Sequence, residues 1–122
     1  MSQIKIYGLR DHLDLTKTIL SDTIHQCIVA ALQFPKDKRF HRFISLEKED
    51  FYFPDSKSTA YTIIEIMMMS GRAEETKKKL IKLLFQEIEQ QVGIAPNDLE
   101  ICILESPACN WGFRGKTGDE FV

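Results

Sequence analysis

The chain has 122 residues, 43% of them hydrophobic and 28% charged, enough for one domain with a moderate core. A net charge of -2 and a pI near 5.9 argue against nucleic acid or an anionic membrane as partner. No apolar run approaches the roughly 18 residues of a membrane span, and three cysteines without a Cys-x-x-Cys pair suggest reduced thiols in a cytoplasmic protein.

In chain order, Gln3-Ile4-Lys5-Ile6-Tyr7 alternates as a first strand, and Gly8 to His12 reads as a turn. Asp14 can cap a helix running to Leu32, with Leu20, Ile24, Cys27, Ile28 and Ala31 as its buried stripe. Phe34-Pro35 stops that helix, and Phe40 to Leu46 reads as a second strand. Residues 47–58 form a polar connector. Within it, Phe51-Tyr52-Phe53 is too aromatic for an idle linker and should fold over an apolar surface or form a short hairpin. A β-branched run from Tyr61 to Met69 is the third strand, Ala73 to Val92 the second helix, and Leu99 to Leu104 the fourth strand. Residues 105–122 form a tail with no helical period, containing Trp111 and Phe113.

A shift of about sixty residues lays one half on the other. Lys17 falls on Lys77, Leu20 on Leu80, Ile24 on Leu84 and Ile28 on Ile88. Repeat 1 spans about residues 2–46 and repeat 2 about 60–104, each a βαβ unit with parallel strands. The expected fold is a single α+β domain, a four-stranded mixed sheet with two helices on one face. The other face, carrying Ile, Met and Phe, needs a cover, which points to oligomers formed through the sheet.

Several residues invite a chemical reading. Arg72 follows Gly71 where a strand turns into a helix, a place where N–H groups and a guanidinium can hold a carboxylate; its plainer reading is a solvated first-turn arginine. Arg39 presents the same choice. His12, His25 and His41 lack metal-ligand spacing and suit surface or capping roles, so neither a metal nor a cofactor is expected. Met67-Met68-Met69 suits sheet core, and Lys77-Lys78-Lys79 a solvated helix face. Trp111 and Phe113 suit interface packing or a pocket wall, and Cys109 has no neighbouring base to make it a nucleophile.

Gly71-Arg72, the stretches Phe34-Pro35 through Arg39-Phe40 and Tyr52-Phe53-Pro54-Asp55, and Asn110-Trp111-Gly112-Phe113 occur in the order in which the tautomerase superfamily carries such motifs. With the βαβ repeat, the chain resembles its long-chain branch, which includes 4-oxalocrotonate tautomerase-like and malonate semialdehyde decarboxylase-like proteins. The resemblance implies a homotrimer with sites near subunit boundaries. It also implies an amino-terminal proline as acid or base, arginines on the substrate carboxylate and aromatic side chains as an apolar wall. Residues filling those roles here would be Arg72, Arg39, Trp111 and Phe113, acting on a small carboxylated keto or enol acid.

Two departures stand out. Ser2 occupies the place of the proline. Once Met1 is removed, it offers a primary amine with an ordinary pKa of roughly 8, which burial beside an arginine lowers. Such an amine can act as a base or form a Schiff base; otherwise Ser2 is an ordinary strand-start residue. Lys38 stands where some relatives carry an acid, and this charge reversal argues against decarboxylation. The expected function is therefore an isomerase with an N-terminal amine as proton shuttle, or an inactive trimeric homologue that binds a small acid or a protein partner.

Overall fold

The computed structural model describes residues 2–121. Strand β1 (Ser2–Leu9) leads into helix α1 (Arg10–Leu32), then β2 (His41–Leu46). After a connector come β3 (Thr62–Met69), α2 (Glu74–Val92) and β4 (Leu99–Ser106), and a tail with a two-residue hairpin, β5 (Gly112–Phe113) and β6 (Lys116–Thr117). The sheet order is β2-β1-β3-β4. β1 and β2 are parallel, as are β3 and β4, while β1 and β3 run antiparallel. Two βαβ units thus meet through their first strands, with both helices on one face.

Alternation decides which face is buried. Ser2, Ile4 and Ile6 of β1 and Thr62, Ile64, Ile66 and Met68 of β3 point under the helices and are buried. The helices meet them with Leu20, Ile24 and Ile28 from α1 and Leu80, Leu84 and Ile88 from α2, the residues that the sixty-residue shift superposes. A repeat visible in sequence is therefore a repeat of core positions.

Several details differ from expectation. There is no turn at Gly8–His12: β1 runs to Leu9 and α1 begins at Arg10, without a side-chain cap. Gly8 permits this tight entry, because a Cβ there would lie 3.0 Å from Leu13 Cγ. Asp14 does not cap the helix; it lies within the helix, 3.8 Å from Lys17 Nζ. Phe40 precedes β2 rather than starting it and is 46% exposed. Phe43 pairs with Ile6 and so lies on the helix side, which leaves the outer face without it. That face mixes Ile63, Met67 and Leu104 with polar links, Arg42 to Gln3 at 3.0 Å and Tyr7 to Glu65 at 2.8 Å. It is less apolar than the run of strand residues suggested.

The connector forms no hairpin. It makes a 3-10 turn at Lys48–Asp50, and then Phe51 and Phe53 pack on each other and on Tyr61, with ring centroids 5.1–5.5 Å apart. The tail folds through 3-10 turns at Ala108–Asn110 and Gly118–Glu120 around the small hairpin. Two histidines are not surface residues. His25 is buried and hydrogen-bonded to the Lys36 carbonyl at 2.7 Å, and His41 Nδ1 lies 2.8 Å from Ser21 Oγ. Lys77 is not simply solvated either, since it is ion-paired to Glu105 at 2.7 Å.

Candidate functional site

The antiparallel pairing of β1 and β3 decides where the candidates go. Ser2 at the start of β1 lies opposite Met68 near the end of β3. Arg72 follows three residues after β3, Arg39 two residues before β2, and the tail after β4. Ser2, Arg39, Arg72, Trp111 and Phe113 therefore collect at one end of the sheet, although they span almost the whole chain.

Within one protomer they occupy different sides of that end. Ser2 is 5% exposed and faces the helix layer. Arg72 is on the same side: its Nη1 donates to the Leu32 carbonyl at 3.1 Å, and its guanidinium sits 6.0 Å from the Phe34 ring centroid. The reason lies in how the two helices end. α2 stops at Gly93 in the left-handed region, whose N–H returns to the Ile88 and Glu89 carbonyls. α1 ends on Gln33, a non-glycine with φ 54°, and Arg72 supplies a donor to its last carbonyl. Arg72 is thus neither a solvated side chain nor an unencumbered one.

Trp111 and Phe113 lie across the sheet end. The indole N–H of Trp111 donates to the Ser106 carbonyl at 3.2 Å, and Gly118 N–H donates to the Trp111 carbonyl at 2.7 Å. Gly118 is wedged against Ala108, Met69 and Trp111: a Cβ there would lie 2.5 Å from the Ala108 oxygen. Phe113 stacks on Phe121 with centroids 4.6 Å apart. It lines a shallow concavity of about 430 Å³ with Lys116 and Glu120.

Arg39 stands at the sheet edge, ion-paired to Asp22 at 2.6 Å. It borders a separate concavity of about 320 Å³ with Gln3, Phe40, His41 and Arg42. Nearby, burial pushes the His41 imidazole down to about 4, helped by the Arg39 charge and by His25. The structure therefore brings the five candidates to one end of the molecule but not into one cleft of a single protomer. The amine considered for Ser2 depends on Met1, which lies outside the described residues. The sequence reading gave no role at the site to Asp22, Phe34 or Phe121. Of these, only Phe34 carried a local signal, the helix stop at Phe34-Pro35.

Two helices on one face of a four-stranded mixed sheet, assembled from duplicated βαβ units, define a tautomerase-like α+β protein. The family model described as "Tautomerase enzyme" matches residues 38–114, and the chain belongs to that family. A Bacillus subtilis (strain 168) protein named "Probable tautomerase YrdN" is 28% identical over 108 residues, 85% of this chain and 82% of the relative. Among solved structures, malonate semialdehyde decarboxylase superposes with a TM-score of 0.82 at 23% identity, over 93% of this chain and 92% of that one. The R7 fused 4-OT, an asymmetric trimer, gives 0.85 at 21% identity, with 97% of each chain covered. At these identities the two structures speak to fold.

Proposed function

We propose that the protein is an isomerase that interconverts keto and enol forms of a small carboxylated acid, working as a homotrimer. Its N-terminal amine, freed at Ser2 by removal of Met1, shuttles the proton. Arg72, joined by Arg39, grips the carboxylate, and Trp111 and Phe113 form the apolar wall. The observation that carries this reading is the gathering of these five residues at one end of the sheet, from both repeats and the tail. Family membership supports the chemistry. Because the aromatic pair and Arg72 lie on different sides of that end, a complete pocket needs parts from neighbouring subunits, and the uncovered outer face offers the contact.

Electrostatics would act on both the bound acid and the amine. A guanidinium can hold a carboxylate through two parallel N–H···O bonds. An apolar wall excludes water and strengthens those bonds, while a cation nearby lowers the amine's pKa towards the working pH.

The test is turnover of enolised phenylpyruvate, followed by loss of the enol absorbance, on material whose N-terminus has been read by intact mass. Chain starting at Ser2 is expected to turn over, and Arg72→Ala to abolish turnover while remaining folded. Unchanged rates in Arg72→Ala would remove that residue from the site. Sedimentation is expected at three times the 14.1 kDa chain mass; a monomer would end the shared-pocket reading.

A second reading has its own observation. Arg72 and Arg39 are both already bonded within the chain, to Leu32 and Asp22. A trimer that keeps the pocket to bind an acid or a protein partner without catalysis fits this equally, and it predicts binding of phenylpyruvate without turnover.

A further inference from the structure

The chain carries five arginines, and four of them are bonded within it. Arg10 is paired to Glu47 and Arg39 to Asp22, while Arg42 donates to the Gln3 side chain at 3.0 Å and Arg72 to the Leu32 carbonyl at 3.1 Å. Arg114 is the exception. Among the described residues its guanidinium has neither an ion pair nor a hydrogen bond; it rests against two rings, 5.8 Å from the Phe113 centroid and 5.6 Å from that of Phe121.

The backbone holds Arg114 there against its own preference. β5 and β6 pair Phe113 with Lys116, which leaves Arg114 and Gly115 as a two-residue turn with φ of 54° and 76°. Both positions of such a turn lie in the left-handed region, where glycine and asparagine are the usual occupants. An arginine there is uncommon, and an outlier of this kind points towards a use for the side chain.

Its surroundings favour an anion. Phe113 and Phe121 stack nearly parallel, with centroids 4.6 Å apart. A guanidinium held over such a face is weakly hydrated and keeps its in-plane N–H donors for a second partner. Lys116 adds a second positive charge, its Nζ 5.8 Å from the Phe121 centroid. Glu120, which lines the same concavity, neutralises neither cation. Its carboxylate accepts from the Thr117 N–H at 2.6 Å and from the Thr117 hydroxyl at 2.9 Å, closing the Gly118–Glu120 turn.

We infer that Arg114 is a further substrate-binding residue, gripping the carboxylate of an acid whose apolar part lies against Phe113. The inference rests on the reading of Phe113 as pocket wall given above. Arg72 and Arg39 must each release an internal partner to reach an acid, and Arg114 has none to release. Because it follows Phe113 in sequence and packs on its ring, one hairpin presents both the apolar surface and the cation to the same ligand.

Ligand-observed NMR titration of the full chain with 3-phenylpropionate, and in parallel with 3-phenylpropionamide, tests this without turnover. The two probes share a ring and a spacer and differ in charge, and the parent is expected to bind the acid more tightly. Arg114→Asn suits the left-handed turn and so keeps the tail folded. It should weaken the acid about tenfold, the loss of a hydrogen bond to a charged group, and leave the amide unchanged. Arg114→Lys should restore part of the affinity, returning the charge without the two-pronged donor. Arg10→Ala, which removes the same charge at the opposite end of the sheet, should change neither probe. In turnover of enolised phenylpyruvate, Arg114→Asn should raise KM and leave kcat near the parent value. Acid binding kept in Arg114→Asn but weakened in Phe113→Leu would overturn this inference and leave the wall standing. Equal losses for acid and amide in Arg114→Asn, or an equal loss of the acid in Arg10→Ala, would also overturn it. A parent that binds neither probe would overturn it together with the wall assigned to Phe113.

Discussion

Gly118→Ala isolates the tail from the rest of the fold. Gly118 is buried, and a Cβ added there would stand 2.5 Å from the Ala108 carbonyl oxygen, 3.0 Å from Met69 Cε and 3.2 Å from Trp111 Cβ. The methionine end can swing away. The backbone carbonyl cannot, because the Ala108–Asn110 turn is fixed by the Asn110 N–H to the Pro107 carbonyl and the Trp111 N–H to the Ala108 carbonyl. The clash must therefore separate the 3-10 turn at Gly118–Glu120 from Trp111, breaking the 2.7 Å bond from Gly118 N–H to the Trp111 carbonyl. Forcing a methyl into such a site costs about 1–3 kcal/mol, which at about 4 °C per kcal/mol for a domain of this size lowers Tm by roughly 4–12 °C. Trp111 is the one tryptophan of the chain, so its emission should shift to the red as the indole gains water. The displaced Trp111 and Phe113 should also raise KM for an acid bound against them, while the buried strands and helices stay intact by circular dichroism. A variant with the parent's Tm and emission would show that the tail is not packed as described, and the apolar wall assigned to it would fall.

The remaining predictions concern the core and the edge of the sheet. His41, ordinarily near 6.5, is pushed down to about 4 in the folded chain. The unfolded state then binds more protons, so this contribution to stability is full above about 6.5 and is lost as pH falls towards 4. Denaturant midpoints should drop across that window, and His41→Gln should flatten the drop; a midpoint insensitive to the variant would refute the burial assigned to His41. Leu84 is fully buried, and Leu84→Ala should cost about 2–5 kcal/mol in urea unfolding, with a loss below about 1 kcal/mol inconsistent with the packing seen here.

Much of this protein was legible from its residues because hydrophobic periodicity is a local property. Leu20, Ile24 and Ile28 announce a helix face without reference to anything else, and their match to Leu80, Leu84 and Ile88 announces that the chain builds the same unit twice. Parallel pairing within each unit followed from a helix having to return the chain to the same side. The ends of elements were less legible. Gly8 looks like a turn residue, yet it serves the close approach of Leu13, and no neighbour in sequence reveals that.

What only the tertiary structure decided is how side chains distant in sequence share their hydrogen bonds and charges. Arg72 ends α1 by reaching Leu32, forty residues away, and Arg39 is held by Asp22; both partners come from the other side of a helix-strand crossover. The antiparallel meeting of β1 and β3 then sends the connector after β2 and the tail after β4 to opposite ends of the sheet. Sequence determines that there are two units, because burial repeats with the helix. The three-dimensional arrangement determines that the surroundings of their ends differ, because charge and hydrogen bonding depend on which groups are brought face to face.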